Sequence, residues 1–202
     1  LALDRTRGAV TIVNGDDLFN GALLEALRRD PSPAAAVVDL SRPLPADAMK
    51  VTLDGRRVTS LGKAIPDHLA AGNAIGLYRF GGGTEDLLRE EIRRWVVGGQ
   101  VGAFYVAAIN ALAPRVALGA VPTAGLTWCE VDDAADLAAA QIKVAQIQTE
   151  ETWPPVGSQR DARPGARKNR FEYSTNASVT TLPNAARDTN SGRSPSTVNQ
   201  TT

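Results

Sequence analysis

The sequence contains a single cysteine, Cys129, and a single histidine, His68. One cysteine excludes an intramolecular disulfide, a cluster of thiolates and a thioredoxin-type pair. One histidine excludes the zinc motifs that need two. A metal bound by this chain would therefore need oxygen ligands, which is the preference of Mg²⁺ and Mn²⁺.

The chain also lacks an excess of charge and a long apolar run. Its 22 Lys and Arg residues balance 22 Asp and Glu residues, which does not indicate a nucleic-acid-binding protein or a basic membrane-surface protein. No stretch reaches the roughly 18 consecutive apolar residues that suggest a membrane-spanning helix, and the first residues do not form the apolar region of a signal peptide. Composition therefore predicts a cytoplasmic protein with no membrane partner and no specific nucleic-acid partner.

The composition changes sharply after residue 151. Residues 152–202 are rich in Ser, Thr, Asn, Pro and Arg, and carry seven basic residues against three acidic ones. Scattered apolar residues without periodicity cannot bury enough surface to offset the ordering entropy of the chain. We therefore predict a folded domain at 1–151 and a disordered tail at 152–202.

Residues 1–151 alternate strand and helix patterns. Short β-branched runs bounded by turn residues predict strands, and apolar residues at helical spacing predict helices. The sequence Asp54-Gly55 between two strand patterns indicates a hairpin. Strands that alternate with helices favour an α/β fold, which we predict to be a Rossmann-like, doubly wound, mostly parallel sheet with an inserted hairpin. The predicted strands are 9–13, 34–40, 49–53, 57–61, 74–80, 115–118 and 127–131, and the predicted helices are 21–29, 84–95, 101–113 and 133–148.

Acidic residues follow two of the predicted strands. Asp16 and Asp17 come after 9–13, whereas Glu130, Asp132 and Asp133 come at the end of 127–131. Ligands of parallel α/β sheets gather beyond the carboxyl ends of the strands, so one carboxylate from each group could share a Mg²⁺ ion. The alternative is that these residues only cap helices or form turns.

Two further segments are candidates for binding phosphate or substrate. Lys63 follows the second hairpin strand, where a lysine can place a positive charge on a phosphate. Asn73 and Gly76 open a predicted strand, and a glycine there allows a ligand to approach the backbone closely. In each case the alternative is an ordinary solvated lysine or an ordinary strand residue.

The motifs together resemble a known family. The segments resemble the C-terminal two thirds of the sugar-phosphate nucleotidyltransferases, and among them the branch with the phosphocholine and inositol-phosphate cytidylyltransferases. The resemblance covers roughly residues 8–145. It is carried, in this order, by Val-Asn-Gly-Asp-Asp-Leu-Phe (13–19), Asp-Ala-Met-Lys-Val-Thr-Leu-Asp (47–54), Leu-Gly-Lys (61–63), Ile-Gly-Leu-Tyr-Arg-Phe (75–80), Ala-Ile-Asn (108–110) and Trp-Cys-Glu-Val-Asp-Asp-Ala-Ala-Asp-Leu (128–137).

The resemblance implies a fold of the nucleotide-diphospho-sugar transferase type and transfer of a nucleotidyl group from a nucleoside triphosphate to a phosphorylated small molecule, such as a phosphocholine-like compound or a sugar phosphate. Pyrophosphate is released. Asp16 and Asp132 match the family's Mg²⁺ ligands, and Lys63 matches the catalytic lysine near the acceptor phosphate. The positions that we expect to bind substrate are Asn14, Gly15, Asn73, Gly76 and Glu130.

Two departures from the family qualify this expectation. The family begins with a glycine-rich triphosphate-binding loop that this sequence does not contain, so we expect an N-terminally truncated fragment that is inactive by itself. Val106 and Ala107 stand where relatives often carry an acidic residue. Two alternatives remain open. One is a non-catalytic decayed domain or regulatory subunit, and the other is a metal-dependent glycosyltransferase, although the Asp-x-Asp spacing of such enzymes is absent.

Overall fold

The computed structural model describes residues 7–41, 43–99, 102 and 104–151. The tail predicted for 152–202 lies outside the described residues. None of the helices in the described part has the length and apolar composition needed to cross a membrane. The elements in chain order are β1 (Val10–Val13), β2 (Asp17–Phe19), α1 (Gly21–Arg29), β3 (Ala34–Asp39), β4 (Lys50–Asp54), β5 (Arg57–Leu61), β6 (Gly72–Phe80), α2 (Thr84–Val97), α3 (Tyr105–Leu112), β7 (Leu118–Pro122), β8 (Trp128–Glu130) and α4 (Ala134–Glu151).

Six strands form the main sheet, in the order β1-β6-β3-β7-β5-β4. Strand β4 also pairs with β6, so that β6, β3, β7, β5 and β4 close a small barrel with β1 at its outer edge. The predicted hairpin is present, because β4 and β5 are antiparallel neighbours joined through Gly55, whose φ of 57° suits a glycine.

The prediction of a mostly parallel sheet is wrong. Only β3 and β7 are parallel in this sheet, whereas β6 runs antiparallel to β1, β3 and β4. Parallel neighbours need a crossover connection, which is usually a helix. Here the β4–β5 hairpin, and not a helix, lies between β3 and β6, so the chain returns in the opposite direction.

Helices cover both faces of the sheet, as the prediction of an α/β fold required. Alternate side chains of β3 point to opposite faces. Val37 lies in one buried cluster with Leu23 and Leu27 of α1. Val38 lies in the other, larger cluster with Leu88 of α2 and with the apolar side of α3.

A second, two-stranded sheet lies beside the main one, and we call it the β2–β8 ribbon. Its two strands, Asp17–Phe19 and Trp128–Glu130, are antiparallel. Helix α4 contacts both strands. The prediction missed β2 because its residues follow directly on the turn sequence Asn14-Gly15-Asp16.

Candidate active site

All the site residues that the sequence predicted line one cavity of about 410 Å³. The cavity lies where β1 ends, where β6 begins and at one end of the β2–β8 ribbon. The predicted residues in its wall are Asn14, Gly15, Asp16, Lys63, Asn73, Gly76, Glu130 and Asp132. A different cavity of about 470 Å³ lies around Asp39, Thr123 and Trp128 and is lined by none of these eight residues.

Three carboxylates converge in the first cavity, and we call them the acidic cluster: Asp16, Glu130 and Asp132. One oxygen from each lies within 4.8 Å of the others, and all three residues are exposed. The ribbon brings them together, because Asp17 is opposite Glu130 and the Val131 N–H donates to the Asp16 carbonyl at 2.9 Å. The sequence predicts that the carboxyl ends of neighbouring parallel strands bring these carboxylates together. That part of the prediction is wrong, because an antiparallel ribbon, and not a pair of parallel strands, brings them together.

Asp17 lines the same cavity as the acidic cluster. Burial, together with repulsion by the Glu130, Asp16 and Asp132 carboxylates, raises the pKa of Asp17 to about 7. Its Oδ2 is buried and has no hydrogen-bond partner in the part of the chain that the structure describes. Burial and the Asp132 and Asp16 carboxylates likewise raise the pKa of Glu130. The cavity therefore concentrates negative charge.

Gly76 explains how Asp17 fits against β6. A Cβ at position 76 would lie 2.0 Å from Asp17 Oδ2 and 2.5 Å from Asn14 Nδ2, and the φ of this residue is +83°. A side chain is therefore excluded both by space and by backbone conformation. The close approach that the sequence suggested at Gly76 is occupied by two side chains of the protein itself.

Asn73 and Lys63 lie in other parts of the wall. Asn73 is only 5% exposed, yet its Oδ1 has no hydrogen-bond partner among the described residues. A buried, unpaired oxygen of this kind requires explanation, and a ligand that donates a hydrogen bond would supply one. Lys63, by contrast, is exposed two positions after the end of β5.

Asn110 belongs to a motif that carried the resemblance, and the structure shows what it contacts. Its Oδ1 accepts hydrogen bonds from the Leu61 N–H at 2.8 Å and from the Ser60 hydroxyl at 3.2 Å. Asn110 thus holds the end of β5 from which Lys63 extends.

Sequence reasoning missed the aromatic side of the cavity. The Tyr105 hydroxyl donates to Asn14 Oδ1, and the Tyr78 and Tyr105 rings meet edge to face at 6.0 Å. Burial, reinforced by Asp17, raises the pKa of Tyr105 above its ordinary value, so its phenol stays protonated and can donate. Residues 14 and 105 are 91 positions apart, and no local pattern in the sequence pairs them. Asp47 and Met49 line the same cavity and were also not assigned to the site.

The acidic cluster fits a Mg²⁺ ion. Its donors are all carboxylate oxygens, and it opens to solvent, which suits an ion that keeps several waters and binds through few carboxylates. No salt bridge links Asp16, Glu130 or Asp132 to a basic side chain within the described ranges. The all-oxygen donor set and the net negative charge, which Lys63 offsets in part at Glu130, therefore both suit a divalent cation.

Comparison with known proteins gives a likeness in structure alone. No protein-family model matches the sequence, and no curated protein matches it. The structure is similar to the inositol-1-phosphate CTP transferase from T. maritima, with a TM-score of 0.52 and 16% identity, over 71% of this chain and 57% of that one. A protein from Bacillus anthracis assigned as a glucose-1-phosphate thymidylyltransferase, solved in complex with a sucrose, gives a TM-score of 0.49 and 14% identity over 70% and 55% of the two chains.

The first likeness shows a shared fold. The matched part of this chain shares its fold with the inositol-1-phosphate CTP transferase, which supports the α/β fold type that the resemblance implies but not the mostly parallel sheet. The chain spans just over half the length of that enzyme, 57%.

Proposed function

We propose that this chain carries the metal-binding and acceptor-binding part of a nucleotidyltransferase active site. The reaction is transfer of a nucleotidyl group from a nucleoside triphosphate to a phosphorylated small molecule, with release of pyrophosphate. The observation that carries this proposal is the convergence of Asp16, Glu130 and Asp132 in one cavity with Lys63, on a fold shared with a nucleotidyltransferase.

The acidic cluster would hold the metal. Asp16 and Asp132 are the ligands that the resemblance implies, and Glu130, which we had expected to bind substrate, lies close enough to be a third. Bound there, Mg²⁺ would neutralise negative charge on the phosphates. The β2–β8 ribbon orients the three carboxylates toward one point before any substrate arrives.

Lys63 would bind the acceptor phosphate. In the reaction an oxygen of that phosphate forms a bond to the α-phosphorus, while the bond from the α-phosphorus to the bridging oxygen breaks and pyrophosphate leaves. A phosphate oxygen that is already anionic needs no general base. The protein then contributes mainly position and charge, which agrees with a chain that holds one histidine.

The remaining residues would bind the organic part of the acceptor or the nucleotide. Asn73 Oδ1 would accept a hydrogen bond from a hydroxyl or amino group of the substrate. Asn14 is already fixed by Tyr105, and Gly15 is exposed at the cavity wall, whereas the buried Gly76 makes room for Asp17 and Asn14 and would shape the site without itself contacting substrate. We propose a sugar phosphate or a phosphocholine-like compound as acceptor.

The direct test is a coupled assay for pyrophosphate. The chain, alone and joined to any coding sequence that precedes it in its gene, is incubated with Mg²⁺, with CTP, UTP or dTTP, and with inositol 1-phosphate, glucose 1-phosphate or phosphocholine. We expect Mg²⁺-dependent release from the longer form on at least one acceptor, and release reduced roughly 10²- to 10³-fold in Asp132→Asn.

Each other outcome has a defined meaning. Turnover by the 202-residue chain alone would contradict the expectation that the chain is inactive without a glycine-rich triphosphate-binding loop. It would still support nucleotidyltransferase activity. Inert protein across the whole panel would favour the non-catalytic domain. Transfer of a sugar from a nucleotide sugar would favour the glycosyltransferase.

A further inference from the structure

The β2–β8 ribbon has an acidic end and an opposite end, which we call its root. The root is formed by Asn20, which directly follows β2, and Thr127, which directly precedes β8. The Asn20 N–H donates to the Thr127 carbonyl at 2.9 Å. The Asp17–Glu130 pair at the acidic end lies three residue positions from the root, which corresponds to about 10 Å along a strand.

One side chain from α4 binds both residues of the root. Glu150 Oε2 accepts from Asn20 Nδ2 at 2.8 Å and from the Thr127 N–H at 3.1 Å. Glu150 Oε1 accepts from the Thr127 hydroxyl. The carboxylate thus takes three hydrogen bonds, and bonds to an ionised acceptor are the stronger kind.

Asn20 links the root of the ribbon to α1, which packs on the main sheet. It is 2% exposed, and its Oδ1 accepts from the Ala22 N–H at 2.8 Å, which caps the first turn of α1. Helix α1 in turn is buried against the main sheet through Leu23 and Leu27. Glu150 therefore ties the ribbon to a rigid part of the fold.

The ribbon needs such a tie because of the charge at its other end. Its strands have three residues each, and a two-stranded sheet is at best marginally stable by itself. The carboxylates of the acidic cluster repel one another when no cation lies between them. Fixing the root limits how far the two strands can move apart at the acidic end.

We infer that Glu150 is a positioning residue: it clamps Asn20 and Thr127 at the root of the ribbon and thereby keeps Asp16, Glu130 and Asp132 convergent for a divalent cation. This inference rests on the proposed function, because it assumes that the acidic cluster is a cation site. The hydrogen bonds of Glu150 go to Asn20 and Thr127 and not to the three carboxylates. Glu150 therefore acts on the acidic cluster through the ribbon.

The test variant is Glu150→Gln, which keeps the shape of the side chain. A glutamine oxygen can still accept from Asn20 Nδ2 and the Thr127 N–H, and its NH₂ group can donate to the Thr127 hydroxyl, but the charge that strengthens these bonds is lost, so the clamp is weakened. The probe is Mn²⁺ alone, titrated into the chain and followed by the electron paramagnetic resonance signal of the free ion. We expect roughly 10-fold weaker binding, at the lower end of what outer-shell changes at metal sites cause.

A second readout needs no metal. The Val131 N–H bonds to the Asp16 carbonyl at the acidic end, and its hydrogen exchange reports whether the strands separate there. We expect faster exchange of Val131 in Glu150→Gln. Thr127→Val deletes only the hydroxyl bond to Glu150, and we expect smaller changes of the same sign, so this variant takes over if Glu150→Gln does not fold.

The matched control is Glu91→Gln, the same chemical change at another glutamate that accepts several hydrogen bonds. Glu91 is on α2 and accepts from Arg94 and Trp95, away from the ribbon. We expect it to lower stability and leave Mn²⁺ affinity and Val131 exchange unchanged. If the wild-type chain binds Mn²⁺ and Glu150→Gln has the same Mn²⁺ affinity and the same Val131 exchange, the inference is overturned. The proposed function is then unaffected. Wild-type chain that binds no Mn²⁺ would overturn both.

Discussion

The Glu91 carboxylate of α2 and the carboxylates of the cavity differ in whether basic side chains neutralise their charge. Glu91 of α2 is 5% exposed and is paired with Arg94 at 2.7 Å and Arg115 at 3.4 Å. It also accepts from the Trp95 indole N–H at 3.0 Å. In the cavity, Asp16, Glu130 and Asp132 are gathered within 4.8 Å, and no salt bridge neutralises them within the described part of the chain.

This difference separates a structural carboxylate from a functional one. At Glu91 the fold itself supplies the positive charge, so nothing further is needed. In the cavity the fold concentrates negative charge and forms no salt bridge to the acidic cluster among the described residues. Burial and the neighbouring carboxylates therefore raise the pKa of Asp17. An arrangement that destabilises the empty protein is typical of a binding site.

The largest effect should come from Asp132→Asn, which tests the cavity side of the comparison. The substitution keeps the shape but removes one charge from the cation site. We expect loss of roughly 10²- to 10³-fold in turnover of the active form, the range for removing one group that stabilises charge in the transition state. The far-ultraviolet circular dichroism spectrum should not change, because Asp132 is exposed. Full activity of this variant would show that the cluster is not functional.

The next effect should come from Glu91→Gln, which tests the α2 side. Loss of the charge leaves Arg94 and Arg115 without their shared partner, and we expect a loss of about 2 kcal/mol in the free energy of unfolding. Urea denaturation followed by circular dichroism measures it. If the unfolding midpoint does not move, then the pairing at Glu91 is not structural and the contrast with the cavity fails.

Asp39 provides an intermediate case, a carboxylate compensated by neutral donors. It accepts from the Trp128 indole N–H at 2.8 Å and from the Ser41 hydroxyl at 2.7 Å. Burial acts to raise its pKa, but the bonds from Ser41, Trp128 and Thr123 outweigh burial and lower it. Its contribution to stability is therefore present above the unfolded-state pKa of about 4 and is lost as the pH falls through the lower, folded-state value.

We expect Asp39→Asn to lower the free energy of unfolding at pH 7 by about 1.5 kcal/mol, the lower end for hydrogen bonds to a charged group. The difference from wild type should disappear in strong acid, where both side chains are neutral. Urea melts at a series of pH values measure this. A difference that stays constant down to pH 2 would mean that the charge of Asp39 plays no part.

The smallest effect should come from Lys63→Ala. Lys63 is exposed, and exposed charges interact weakly because solvent screens them. We expect a few-fold rise in the acceptor KM of the active form with little change in kcat, and Lys63→Arg should restore most of the affinity. An unchanged KM would remove Lys63 from the acceptor site.

Most of the local structure could be predicted from the sequence. The β-branched run that forms β1, the leucine spacing in α1 and the turn at Asp54-Gly55 are local signals, and each element lies where its signal is. The eight predicted site residues also line one cavity, and most of them lie at or near the end of a predicted element.

The pairing of the strands could not be predicted in the same way. Strand β7 spans Leu118–Pro122 and not the predicted 115–118, because Gly119 and Ala120 have low strand propensity and extend only through pairing with β3. Strand β2 forms only by pairing with β8, more than a hundred residues further along the chain. The convergence of Glu130 with Asp16, and the clamp at Glu150, depend on that pairing and have no local signal.

The central claim is that Asp16, Glu130 and Asp132 form a cation site, and a crystal of the chain grown with Mn²⁺ tests it most directly. Anomalous diffraction locates the ion without reference to any activity. We predict one Mn²⁺ peak in the cavity, with oxygens of all three carboxylates at about 2.2 Å, the range for hard divalent ions on carboxylates. A fully occupied Mn²⁺ elsewhere, with the three carboxylates bound only to water or to basic side chains, would contradict the account.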